Sequence, residues 1–208
     1  MALIAGSLGM IITMVLHPRG RIAPAEVDAL VRKLLEVHSL ALASIPLLFL
    51  GAWGIARRFA AADRLSWTGL GIYGYATAAV LSGTVMDGLV EPRLLQQIIG
   101  STAQTRELWQ AITKYNALVV GGFVRVYVVA AGLAILLWSV SMVKNGKRGF
   151  GIALYGGVLG IATVAGVLAG FLSPESHAFV MVIVGQAVWF LSVGVTMWGE
   201  REAVGHAT

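Results

Sequence analysis

Apolar residues run along this chain in six stretches separated by polar connections, at residues 2–17, 38–59, 65–90, 117–143, 149–172 and 175–198. From the second onward each has the roughly 20 residues that a helix needs to cross a bilayer. The first is shorter, ending at His17-Pro18-Arg19-Gly20. It lacks the basic n-region and small-residue cleavage site of a secretory signal and reads as a retained first helix. Two amphipathic stretches lead into the longer runs. Pro24 suits a first helical turn, and Val27, Val31, Leu34 and His38 then recur at helical spacing. Leu108, Ile112, Asn116 and Val119 do the same ahead of the fourth run. The pattern predicts an all-α, polytopic integral membrane protein. It forms one domain over residues 1–208, a six-transmembrane-helix bundle with two helices extended beyond the membrane on the outer side.

Composition supports the membrane reading. The chain has 208 residues, 58% hydrophobic and 12% charged, against about 25% charged in soluble domains. The net charge of +5 is not a nucleic-acid signal. The basic residues flank apolar runs, where they meet headgroups and aqueous loops. Short basic connections follow the second and fourth runs: Arg57, Arg58 and Arg64, then Lys144, Lys147 and Arg148. By the positive-inside rule that end, B, is cytoplasmic, and both termini lie there in a multi-pass protein of the cell inner membrane. The opposite end, A, faces outward. Trp67, Trp138 and Trp198 at end B and Trp109 at end A read as interfacial belt anchors.

Six crossings bring a set of ionisable and polar residues to end A. His17 closes the first run, His38 opens the second and His177 opens the last. Asp87 and Glu91, four apart, end the third; Asn116 begins the fourth. Helical phase turns His38 inward with Val31 and Leu34, whereas His17 sits at a chain reversal and has no phase. Deeper in the membrane lie Arg125 and Gln186, each nine residues further along its run. Tyr127 shares the Asn116 face. An arginine at that depth needs a partner, a water-filled cavity or a snorkelling route, and Asp87, then Glu91, are the expected partners.

Ionisable groups converging inside a membrane are a default site hypothesis, although a single interfacial histidine is more often an amphipathic residue at home there. The expected catalytic residues are His38, His177, Asp87 and Arg125, and the expected ligand-binding residues are Asn116, Gln186, Glu91 and Tyr127. The chain has no cysteine, so a divalent metal would be held by His17, His38, His177 and Asp87. Imidazole and carboxylate suit zinc, iron, manganese or copper. Haem between His38 and His177 is a weaker alternative, because no attachment motif is present.

The sequence names no reaction. It predicts a small membrane protein with a polar His/Asp/Asn/Arg cavity open to the outer face. That cavity would bind a metal or small polar ligand and act on a membrane-soluble substrate. The alternatives are a non-catalytic subunit of a larger complex and a small transporter. The expected partners are the lipid bilayer, a membrane-soluble small molecule and a second copy of the chain. The second copy would pack through the glycine-rich fifth run, where Gly156 with Gly160, and Gly166 with Gly170, have GxxxG spacing. No nucleic acid is expected.

Overall fold

In a computed structural model, which describes residues 1–18, 27–59, 64–144, 146, 149–172 and 177–205, the described elements are all helical. They are α1 (Ala2–Leu16), α2 (Val27–Phe59), α3 (Leu65–Val85), α4 (Glu91–Gly100), α5 (Ala103–Lys144), α6 (Phe150–Leu168) and α7 (His177–Gly205), with a π-helical turn at Met86–Val90 joining α3 to α4. The predicted lead-in at 24–37 is the first part of α2 from Val27 onward; Pro24 lies outside the described residues. The lead-in at 105–116 is the start of α5, which continues unbroken for 42 residues.

Four of these helices are long and apolar enough to cross a membrane: α2, α5, α6 and, within α7, Ala178–Glu200. The other two runs fall short for different reasons. With 15 residues, α1 spans about 22 Å at 1.5 Å per residue, against a hydrocarbon core of about 30 Å. The 21 residues of α3 are long enough, but their Ser, Thr, Gly and Tyr dilute the apolar side chains.

Contacts between the helices run in a closed circuit. α1 packs on α2, α2 on α3, α3 on α5, α5 on α6, α6 on α7, and α7 returns to α1. Short α4 folds back against α5. The core is mostly apolar, and so is much of the outer surface. Leu118, Leu168, Phe171 and Met181 are among the most exposed side chains, while Ser7, Thr13, Ser44, Thr163 and Gln186 are buried. An outer surface this apolar belongs against lipid. Several buried hydroxyls are accommodated cheaply by bonding the carbonyl one turn back in their own helix. Ser7 bonds Leu3, Thr13 bonds Gly9 and Ser44 bonds Leu40, at 2.7, 2.9 and 2.7 Å.

The end B half is packed with aromatic rings. Trp138 and Trp189 stack nearly parallel at 6.2 Å between centroids, and Phe190 and Tyr73 close the cluster. Both indole N–H groups are satisfied, by the Ser66 carbonyl at 3.0 Å and the Ile152 carbonyl at 3.1 Å. Trp138 is therefore a core residue and not the belt anchor expected from its position. It is fully buried, because α5 turns that face towards α3 and α7. At the same end Arg58 of α2 pairs with Glu200 of α7.

The first glycine pair of α6 serves contacts inside the molecule. A Cβ on Gly156 would lie 2.2 Å from Trp189 Nε1, and one on Gly160 would lie 2.6 Å from the Gly132 carbonyl oxygen. Gly170 has a positive φ of 76° at the end of the helix. Gly156→Ala is thus expected to lower the thermal midpoint in detergent by overpacking, about 1–3 kcal/mol. Gly157→Ala, where a Cβ meets nothing within 4 Å, leaves the midpoint unchanged or higher, since Ala favours helix by roughly 0.5–1 kcal/mol. Equal losses from both would contradict this packing.

Candidate metal centre

A break in helical regularity places the site. Pro92 has no N–H and its ring clashes with the carbonyl four residues back in an α-helix, here Gly88. The chain widens just before it. The Glu91 N–H reaches back five residues to the Met86 carbonyl, which defines the π turn. Such turns occur often at functional sites. Gly88 is buried in this turn, and a Cβ there would lie 2.2 Å from His38 Cβ. The absent side chain therefore lets α2 press against the turn beside Asp87.

Two imidazoles meet one carboxylate there. His38 Nε2 is 2.9 Å from Asp87 Oδ2, and His17 Nε2 is 3.4 Å from the same oxygen. Each ring is also tethered at its other nitrogen. His38 Nδ1 donates to the Leu34 carbonyl at 2.8 Å, and His17 Nδ1 to the Pro18 carbonyl at 3.1 Å. The rings themselves stand edge to face, 5.2 Å apart. With Nδ1 of His38 already a donor, the short contact at Nε2 requires a further proton held between ring and carboxylate. A side-chain exposure of 6% makes His38 the inner wall, while His17 and Asp87, each at 29%, form the open side.

This is also a metal-ready arrangement. One ligand atom from each of His17, His38 and Asp87 lies within 4.8 Å of the others. Bonds of about 2.0–2.2 Å to nitrogen and oxygen place neighbouring ligands of a tetrahedral ion roughly 3.3 Å apart, so small adjustments close the set. Histidines that bind metal normally give their second N–H to a carbonyl or carboxylate, which fixes the ring. Both rings here do so. Two histidines and one carboxylate leave coordination positions free for water or substrate.

Asn116 and Glu91 form an adjoining pair. Asn116 Nδ2 donates to Glu91 Oε2 at 2.7 Å and to the Met86 carbonyl at 3.4 Å, so the amide spans the mouth of the π turn. Burial raises the Glu91 carboxyl above its ordinary value; the Asn116 bond opposes that rise and the charge of Asp87 adds to it.

The remaining expected residues lie elsewhere. Arg125 is exposed on α5, and among the described residues it forms no ion pair with Asp87 or Glu91. The anticipated Asp87–Arg125 pair is replaced by the pairing of Asp87 with His17 and His38, because the phase of α5 turns Arg125 outward while Asn116 faces in. Gln186 is fully buried between α7 and α5 and donates to the Val128 carbonyl at 3.1 Å. Tyr127 is buried in the core. His177 is the first residue of α7, and its side chain lies outside the described residues. A haem on His38 would have to displace Asp87 from Nε2. The π turn, Gly88 and the tethering carbonyls of Leu34 and Pro18 are the parts that sequence reasoning did not find. The Glu91-Pro92 step at the end of the third apolar run is the signal that points to the turn.

No family model matches the chain, and neither a curated protein nor a solved structure matches it. The chemistry of the site therefore rests on its own geometry. Gly88→Ala is expected to part His38 from Asp87. The ¹⁵N shifts of the His38 ring would move to those of a neutral imidazole, with a thermal midpoint lowered by an overpacking cost of about 1–3 kcal/mol. An unchanged His38 spectrum would contradict the close packing.

Proposed function

We propose that the protein is a six-span inner-membrane protein that binds a divalent metal ion through His17, His38 and Asp87, at the outer end of the bundle. There the metal would act on a membrane-soluble substrate. The single observation that carries this reading is the pair of tethered imidazoles offering Nε2 to one carboxylate oxygen. A metal so held keeps open positions for water, whose pKa zinc lowers to about 7. Substrate would arrive at the partly exposed side formed by His17 and Asp87. His177 is a further candidate ligand at the same end. The closed circuit of helix contacts supports six crossings, with α1 and α3 completing the bundle around the four apolar spans. At 42 residues, α5 is about 63 Å long and would project well beyond a core of about 30 Å. The basic clusters at end B support a cytoplasmic location for that end and for both termini.

The subunit reading draws support from a different observation. Residues 102–108 at the start of α5 are exposed, Leu108 among them, and Tyr115 further along is 68% exposed. A partner could cover them. The inward use of Gly156 and Gly160 leaves homo-oligomerisation through that pair without structural support.

Elemental analysis of protein purified in detergent, after loading with Zn²⁺, Mn²⁺ or Fe²⁺ and removal of excess, tests the metal. Tightly held metal is expected in the parent protein, with a loss of at least tenfold in affinity for His38→Ala and for Asp87→Ala. Because the metal displaces the proton between His38 and Asp87, binding should strengthen as pH rises, by about tenfold per pH unit for each proton released. Metal content unaffected by either substitution would sink the assignment. Topology is tested separately, since the chain has no cysteine to confuse thiol labelling. A membrane-impermeant reagent should label Ser101→Cys in cells with a permeable outer barrier, and Arg57→Cys only after the inner membrane is opened. The reverse pattern would overturn the orientation.

A further inference from the structure

Beside the nitrogen-bearing ligands lies a second group of polar atoms with a different chemistry. Asn116 is only 2% exposed, and its Oδ1 is buried with no hydrogen-bond partner among the described residues. Leaving such an acceptor unpaired is costly, and in a native structure it calls for an unseen donor, water or ion. The other atom of the same amide, Nδ2, is held by Glu91 Oε2 and the Met86 carbonyl, so Oδ1 cannot swap roles without setting acceptor against acceptor. Glu91 meets the same amide through Nδ2, and Asp87, four residues earlier, is near enough to Glu91 to interact electrostatically. Asp87 uses Oδ2 for both histidines, and Oδ1 has no hydrogen bond among the described residues. Among the described residues no Lys or Arg pairs with either acid. Asp87 Oδ2 is answered by the histidines, but Glu91 and the buried Asn116 carbonyl oxygen have no Lys or Arg beside them among the described residues, so this cluster of oxygens can still take a cation.

We propose that Glu91, Asn116 Oδ1 and Asp87 Oδ1 form a second, all-oxygen cation subsite, with Asp87 bridging it to the ion held by His17 and His38. Hard oxygen ligands of this kind take Mg²⁺, Mn²⁺ or Ca²⁺, usually with water completing the shell. The inference deepens the metal-binding function above and rests on it. It changes the expected chemistry. Paired ions about 3.5–4 Å apart clamp both the attacking and the leaving oxygen of an in-line displacement, which points to a phosphate- or other oxyanion-bearing substrate. The Asn116 amide then positions Glu91 as a ligand. The π turn brings Asp87 and Glu91 to one mouth while each keeps its own partner helix.

Mn²⁺ is the probe that separates the two sites, because it accepts both ligand sets and is visible by electron paramagnetic resonance. Full-length protein in detergent is expected to bind two Mn²⁺ per chain at saturation and to show the broadened spectrum of two coupled ions. Glu91→Gln, nearly the same shape as the parent, and Asn116→Leu should each reduce binding to one Mn²⁺ with the hyperfine pattern of an isolated ion. Asn116→Asp, which keeps an oxygen ligand, should restore the second. Size-exclusion profiles identical to the parent would show that each variant is folded. Saturation at one Mn²⁺ per chain, unchanged in number and spectrum by Glu91→Gln and Asn116→Leu, would overturn the second subsite and leave the His17–His38–Asp87 centre standing. Absence of bound Mn²⁺, Zn²⁺ and Fe²⁺ from the parent protein would overturn both.

Discussion

Hydrocarbon offers no hydrogen bonds, and that one constraint organises the molecule. Every polar group carried into the apolar bundle must find a partner inside the protein. Ser7, Thr13 and Ser44 take the carbonyl one turn back. The indoles of Trp138 and Trp189 reach carbonyls on neighbouring helices, and Gln186 does the same from α7 to α5. At end A the same demand acts on harder groups. Asp87 cannot be left alone against apolar neighbours, and two imidazoles answer it; each imidazole in turn needs an acceptor for its second nitrogen and takes a backbone carbonyl. The centre is thus a chain of satisfied bonds running from Leu34 and Pro18 through both rings to one carboxylate. Asn116 Oδ1, like Gln186 Oε1 and Thr163 Oγ1, is a buried atom with no hydrogen-bond partner among the described residues.

Much of this was legible in the amino-acid pattern, and the exceptions have physical reasons. Helical phase identified His38 as inward, because Val31 and Leu34 share its stripe. Phase put Asn116 on one stripe with Leu108 and Ile112, yet those two are exposed and Asn116 is buried, so its meeting with Glu91 could be read only from the folded chain. His17 had no phase, since it follows the last residue of α1, and its direction depends on a C-cap with φ −57° and ψ 126°. Its approach to Asp87 could be read only from the folded chain. Arg125 illustrates the opposite failure. Its depth was inferred from residue counting, but its direction is fixed by how α5 seats against α3 and α6. The π turn escaped because a wider turn leaves no periodic mark in five residues, and its local cause, Pro92, looks like any helix-starting proline. Trp138 faces the core and not the lipid, a direction that position along a span does not specify.

The three residues of the centre come from parts of the fold with little else in common. His17 follows the end of short, apolar α1; His38 lies within α2; Asp87 sits on the irregular turn after α3. A bound ion would be a removable cross-link among them, in a chain whose lack of cysteine denies it disulfides. Its mechanical effect falls mostly on α1, the helix least able to span the bilayer alone. With metal in place that helix would be pinned at end A as well as along its flanks; without it, α1 would rely on its packing against α2 and α7. Seating of the first helix and occupancy of the site are then two readings of one equilibrium, so anything that shifts the depth or tilt of α1, bilayer thickness included, would also shift how tightly the ion is held.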